Sequence, residues 1–120
     1  MKVQTIGTMI DTSQLGCRDI HIDTSFSQLR FRTRKYICWG ADRFQVDKKD
    51  KYGCCKWYRF FVRGAKHNGW VYIELNGLDL YNVYYTSQRH RIKMVDQDVY
   101  GDELCDRIDE TIEKQEHYSF

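Results

Sequence analysis

Arg30, Arg32 and Arg34 stand at alternate positions with Lys35 beside them. On an extended strand successive side chains point to opposite faces, so the three guanidinium groups would line one face opposite Leu29, Phe31 and Thr33. Such a stripe can track phosphates, each neutralised charge adding a salt-dependent increment of affinity. Trp57, Arg59, Phe61 and Arg63 repeat the spacing, and rings alternating with guanidinium groups can stack bases while pairing a phosphate backbone. Without a ligand, the same residues are core aromatics beside arginines that are solvated or meet the protein's own acids. The segment from Lys56 to Lys66 lacks the Lys/Arg-Gly-Phe/Tyr pattern of an RNA-recognition strand, which favours that second reading.

The opposite charge is gathered near the end of the chain, in Asp102, Glu103, Asp106, Asp109, Glu110, Glu113 and Glu116. A carboxylate array with few cations can imitate a nucleic-acid backbone and occupy a basic groove on another protein. The alternative is a helix kept soluble on its outer side.

Metal and covalent chemistry have weaker support. Cys17, Cys38, Cys54, Cys55 and Cys105 and His21, His67, His90 and His117 form no Cys-x2–4-Cys or His-x3–5-His pair, and the adjacent Cys54 and Cys55 would point to opposite faces of a strand. The expectation is no metal, no cofactor and no catalytic residue, since no nucleophile elbow, catalytic loop or phosphate-cradling glycine stretch is present. An enzyme would need a site assembled entirely by the fold. An odd, irregular set of cysteines suits reduced thiols in a cytoplasm better than a secreted disulfide scaffold. The start of the chain, MKVQTIGTMIDTSQLG, has polar residues where a signal peptide needs an apolar core, and reads as mature protein. No apolar run approaches the roughly 20 residues of a membrane span.

The elements that must position these groups follow from size and pattern. A chain of 120 residues suits one domain over residues 1–120, with large rings supplying much of the core because aromatics reach 15%. Charge divides it: residues 1–66 carry fourteen Lys or Arg against six Asp, whereas residues 67–120 carry five against eleven acids. Residues 54–63, 70–75 and 80–86 are aromatic or β-branched and predict strands. Asn68-Gly69 and Asn76-Gly77 predict the hairpin turns between them. A further turn over residues 87–90 leads to a strand over 91–95 in which Ile92 and Met94 share one face. Residues 43–46 are expected to pair with the strand that starts at Cys54. From Asp98 the apolar period lengthens, and Leu104, Cys105, Ile108 and Ile112 form one stripe of a helix predicted over residues 99–114. Residues 1–40 fit both a strand reading, in Ile20 and Ile22, and a helical one, in Phe26, Leu29, Thr33, Tyr36 and Ile37. The fold class is therefore α+β: an antiparallel β-meander of four to five strands with a C-terminal amphipathic α-helix packed on one face.

The strings WGADRFQVDKKDKYGCCKWYRFF, ELNGLDLYNVYY and VYGDELCDRIDETIE, over residues 39–113, resemble small accessory proteins of tailed phages and prophages. Such proteins share an aromatic meander, a Leu-Tyr-x-Val strand and a terminal helix reading Leu-x-x-x-Ile-Asp. The resemblance implies a non-enzymatic modulator of host machinery, made in the host cytoplasm, of the kind that inhibits restriction or CRISPR systems. It carries over no site residue. Three readings stand: a binder of a host protein or ribonucleoprotein complex, a nucleic-acid-binding module using the basic aromatic strands, and a small enzyme.

Overall fold

The computed structural model describes residues 4–16, 18–21, 24–25, 42–47, 51, 53–64 and 66–112. Strands β1 (Ile20–His21) and β3 (Cys54–Cys55) pair as a small antiparallel sheet. The main sheet is antiparallel and five-stranded, in the order β2 (Asp42–Val46), β4 (Trp57–Arg63), β5 (Asn68–Leu75), β6 (Tyr81–Thr86) and β7 (Ile92–Val99). A 3-10 turn (Gly101–Glu103) leads into helix α1 (Leu104–Ile112). The protein is thus α+β, a meander with a helix against one sheet face.

Alternation on the strands explains the packing. Tyr58, Phe60 and Val62 of β4, Val71 and Ile73 of β5, and Val83 and Tyr85 of β6 are buried together with Leu104, Cys105, Ile108 and Ile112 of α1. Those four are the apolar stripe that the helical period predicts. Asp102, Glu103 and Asp106 stand near the helix start, where carboxylates meet the positive end of its dipole.

The opposite sheet face is also buried. Phe61, Trp70, Tyr72, Tyr84 and Ile92 pack with Leu15 and, at the margin, Ile10 from the N-terminal segment 4–16. That segment lies along the start of β7: Gly7 N–H donates to the Ile92 carbonyl at 2.8 Å, Ile92 N–H to that of Thr8 at 2.8 Å, and Ile10 N–H to that of His90 at 2.9 Å. Further in, Gly16 adopts φ +88° with its N–H 2.9 Å from Glu74 Oε1, and any Cβ there would sit 2.6 Å from the Lys56 carbonyl oxygen. Glycine is therefore required where the segment passes β4.

Several expectations are corrected. Asn68-Gly69 is not a turn; both residues lie in β5, with Asn68 opposite Arg63 and Gly69 opposite Val62. The chain reverses earlier, where Gly64 N–H meets the His67 carbonyl at 2.9 Å. Gly69 answers to a neighbour instead, since a Cβ there would lie 2.1 Å from the Thr86 carbonyl oxygen on β6. The Asn76-Gly77 turn does occur, as a longer loop: Asn76 Oδ1 accepts from Leu78 and Leu80 N–H, and Asp79, not Gly77, takes positive φ. Ile92 and Met94 fall on opposite faces because a bulge intervenes, with Ile92 opposite Thr86 and Met94 opposite Tyr85. The helix starts later than residue 99, because Val99 is still paired with Tyr81 and buried in the sheet. The strand read from Cys54 to Arg63 breaks at Lys56, and β2 pairs with its second part, β4. Residues 26–40, 113 and 114 lie outside the described residues.

Gly69→Ala is expected to lower stability by about 1–3 kcal/mol, as forced overpacking does. The shift in urea midpoint at unchanged slope measures it. A variant as stable as the parent would contradict the close approach of β5 to β6.

Candidate guanidinium-aromatic interface

Strand β4 places Trp57, Arg59, Phe61 and Arg63 on the sheet face away from α1. The register then supplies their neighbours: Arg59 lies opposite Tyr72 on β5 and opposite Gln45 on β2, while Phe61 lies opposite Trp70. Arg59 Nε donates to Gln45 Oε1 at 2.6 Å and Nη1 donates to the Tyr72 hydroxyl at 2.7 Å. Its Cζ sits 4.6 Å from the Trp70 ring centre, 5.4 Å from that of Tyr72 and 5.7 Å from that of Trp57. Phe61 meets Trp70 edge to face at 5.3 Å, and carries the guanidinium groups of Arg43 at 4.9 Å and Arg63 at 5.0 Å. A register shift in β2 between Asp42 and Gln45, with Arg43 at φ +52°, accompanies the placement of Arg43 over Phe61. Arg63 also pairs with Asp42 at 2.9 Å.

His90 completes the cluster from the turn between β6 and β7. Its ring stacks on Trp70 at 5.3 Å and 21°, and its Nδ1 is hydrogen-bonded to the Tyr72 hydroxyl. Arg59 can only donate to the Tyr72 oxygen, so the Tyr72 proton goes to His90 Nδ1 and the imidazole proton sits on Nε2. Burial, then the Arg59 charge, pushes the His90 pKa below its usual 6.5. Burial raises that of Tyr72, against the opposing effect of Arg59.

Phe61 and Trp70 are only 5% and 7% exposed, so the arginines cap these rings and leave little ring face for a stacking base. Beside the half-buried Trp57 lies a cleft of about 420 Å³ lined by Thr12, Ser13, Leu15, Gly16, Asp47 and Lys56. Lys56 is paired there with Asp19 at 2.8 Å.

The acidic residues lie elsewhere. Asp106 is exposed and Asp109 half-buried on α1, behind the sheet, so the structure does not bring them to Arg59, Phe61 and Arg63. The nearby Arg107 is gripped by Asp96 at 2.7 and 3.1 Å. Arg30, Arg32, Arg34 and Glu113 lie outside the described residues. Among the described residues no group of three or more His, Cys, Asp or Glu side chains could hold a metal ion.

Arg43, Gln45, Trp70, Tyr72 and His90 escape a reading of β4 alone. A turn at Asn68-Gly69 would have set Arg59 against Leu78; the reversal centred three residues earlier sets it against Tyr72. No protein-family model, curated protein or solved structure matches the chain. No helix among the described residues is long and apolar enough to cross a membrane.

Proposed function

We propose that this chain is a non-enzymatic binding protein that docks its guanidinium-aromatic face onto an acidic surface of a partner protein. The observation that carries this reading is half-exposed Arg59, held by Gln45 and Tyr72 beside three rings on the sheet face away from α1. Arginine and aromatic side chains fixed before binding lose little entropy in the complex, which is why they anchor interfaces. Asp42 and Gln45 stand among the cations, a mixed polarity that suits a protein surface better than an unbroken phosphate track. Together with the likeness to phage accessory proteins, this suggests a host complex that handles nucleic acid, such as a restriction or CRISPR assembly in the host cytoplasm, as the partner that is inhibited or redirected. The acidic face of α1, with Asp106 and Asp109, is a second charged surface on the far side of the sheet.

Direct nucleic-acid binding is the second reading. It is favoured by the same separation, since the helix carboxylates lie behind the sheet and do not neutralise Arg59.

The test is capture from nuclease-digested bacterial lysate. The protein is expected to retain a protein partner, and Arg43→Glu with Arg63→Glu is expected to weaken capture by about tenfold or more, which corresponds to about 1.4 kcal/mol. Asp106→Lys with Asp109→Lys should leave it nearly unchanged. Loss of all capture on nuclease treatment would transfer the assignment to nucleic acid.

A further inference from the structure

Arg59 differs from the ion-paired arginines. Arg18, Arg63 and Arg107 each meet a carboxylate, from Asp79, Asp42 and Asp96 at 3.0, 2.9 and 2.7 Å. Among the described residues Arg59 meets none, although it is only half exposed. Its two hydrogen-bond partners, the Gln45 amide oxygen and the Tyr72 hydroxyl, are neutral acceptors that orient the guanidinium without offsetting its charge.

A partly desolvated cation without a counter-ion costs free energy, which stacking on Trp70 and Tyr72 offsets only in part. A guanidinium has five N–H donors in one plane. Nε and one hydrogen of Nη1 are used, so the second hydrogen of Nη1 and both on Nη2 are left, and the clamp fixes the direction in which they point. A planar donor set of this kind matches an oxyanion with two oxygens in the same plane.

We propose that Arg59 is a carboxylate-binding subsite, taking one Asp or Glu side chain of the partner protein through the unused edge of its guanidinium. This rests on the protein-partner reading and names the group that the partner must present. The geometry favours it: Arg63 is already paired with Asp42 and Arg43 is held over Phe61, so Arg59 offers a single guanidinium edge to one monoanion. A nucleic-acid backbone would need a row of such sites. The half-buried Trp57 beside Arg59 supplies an apolar wall for the methylene groups of a glutamate.

Hexaglutamate serves as the probe in a calorimetric titration of the intact protein. Saturable binding is expected, weakened about tenfold or more in Arg59→Lys, which keeps the charge and loses the planar fork. His90 reports the same event without a mutation. Arg59 from β4 and Tyr72 from β5 face its ring, the N-terminal segment meets its backbone carbonyl through Ile10 N–H, and Arg89 and Arg91 flank it on its own turn. An anion seated on Arg59 offsets the charge that disfavours imidazolium, so the His90 pKa followed by NMR should rise in the saturated wild-type protein. Equal affinity of wild type and Arg59→Lys, or a His90 titration that does not move, would overturn the subsite. Single-stranded oligonucleotide or inorganic phosphate binding about tenfold more tightly than hexaglutamate would replace carboxylate by phosphate. Partner capture that survives Arg59→Lys would leave the docking face standing while removing the subsite. Failure of all capture alongside normal hexaglutamate binding would do the reverse.

Discussion

Glu74→Ala is expected to lower the unfolding free energy by about 3–5 kcal/mol, because it strands two buried donors and one partly buried one at about 1–3 kcal/mol each, with partial relaxation. Glu74 is fully buried, on the sheet face covered by the N-terminal segment. Gly16 N–H donates to Oε1 at 2.9 Å, while the Tyr84 hydroxyl at 2.8 Å and the Asn82 amide at 3.3 Å donate to Oε2. The network continues: Asn82 Oδ1 accepts from the Asn76 amide and from Asp98 N–H, and the Tyr84 hydroxyl accepts from Gln4 N–H at 3.5 Å. Burial and the carboxyl together push the Tyr84 pKa far up, so this hydroxyl keeps its proton for Glu74. Glu74→Gln is expected to lose less, because its one carbonyl oxygen still accepts on one side while its amide faces donors on the other. Chemical denaturation measures both losses, and amide exchange at Gly16 should accelerate because its N–H has lost its acceptor. A Glu74→Ala variant within about 0.5 kcal/mol of the parent would show that the network holds nothing in place; shifts of that size are ordinary at unstructured surface positions.

Phe60→Ala is expected to cost about 3–5 kcal/mol, the range for emptying a large aromatic site in a packed core. Phe60 is fully buried on the helix side of the sheet, among Tyr58, Val62, Val71 and the stripe of α1. Its ring stacks on Phe44 at 5.9 Å with the planes 6° apart, so the edge strand β2 rests on it as well. The loss should therefore appear globally, as a lower urea midpoint, with amides of β2 and α1 exchanging faster together. Capture of the partner by the folded fraction should be unchanged, since Phe60 faces away from Arg59. A loss below about 1 kcal/mol would mean that the site collapses around the missing ring, which cores of this density seldom do.

These two residues divide along the line between local and non-local information. Phe60 and Phe61 are adjacent, and alternation along a strand already assigns them to opposite faces. In the same way the period of Leu104, Cys105, Ile108 and Ile112 specifies an amphipathic helix and the face it buries. The sequence also places Trp57, Arg59, Phe61 and Arg63 side by side, since spacing by two is all that this requires. Glu74 shows where such reading stops. It alternates with Ile73 and Leu75 and looks like a solvent-facing position, yet the N-terminal segment, which has no periodicity of its own, comes down over it.

What the sequence by itself determined was the class of fold, the helix stripe and the composition of one strand face, because each depends only on neighbours within a few residues. Register, and with it the meeting of Arg59 with Tyr72, Gln45 and His90, was decided by tertiary structure. Asn-Gly is a good turn pair, but Gly69 was needed to let the backbone of β6 approach, and the reversal moved to Gly64–His67. A turn displaced by a few residues changes every cross-strand partner while leaving each strand's own pattern intact. For that reason the strands could be read singly, whereas the site, made from β2, β4, β5 and the turn carrying His90, existed only once they were paired.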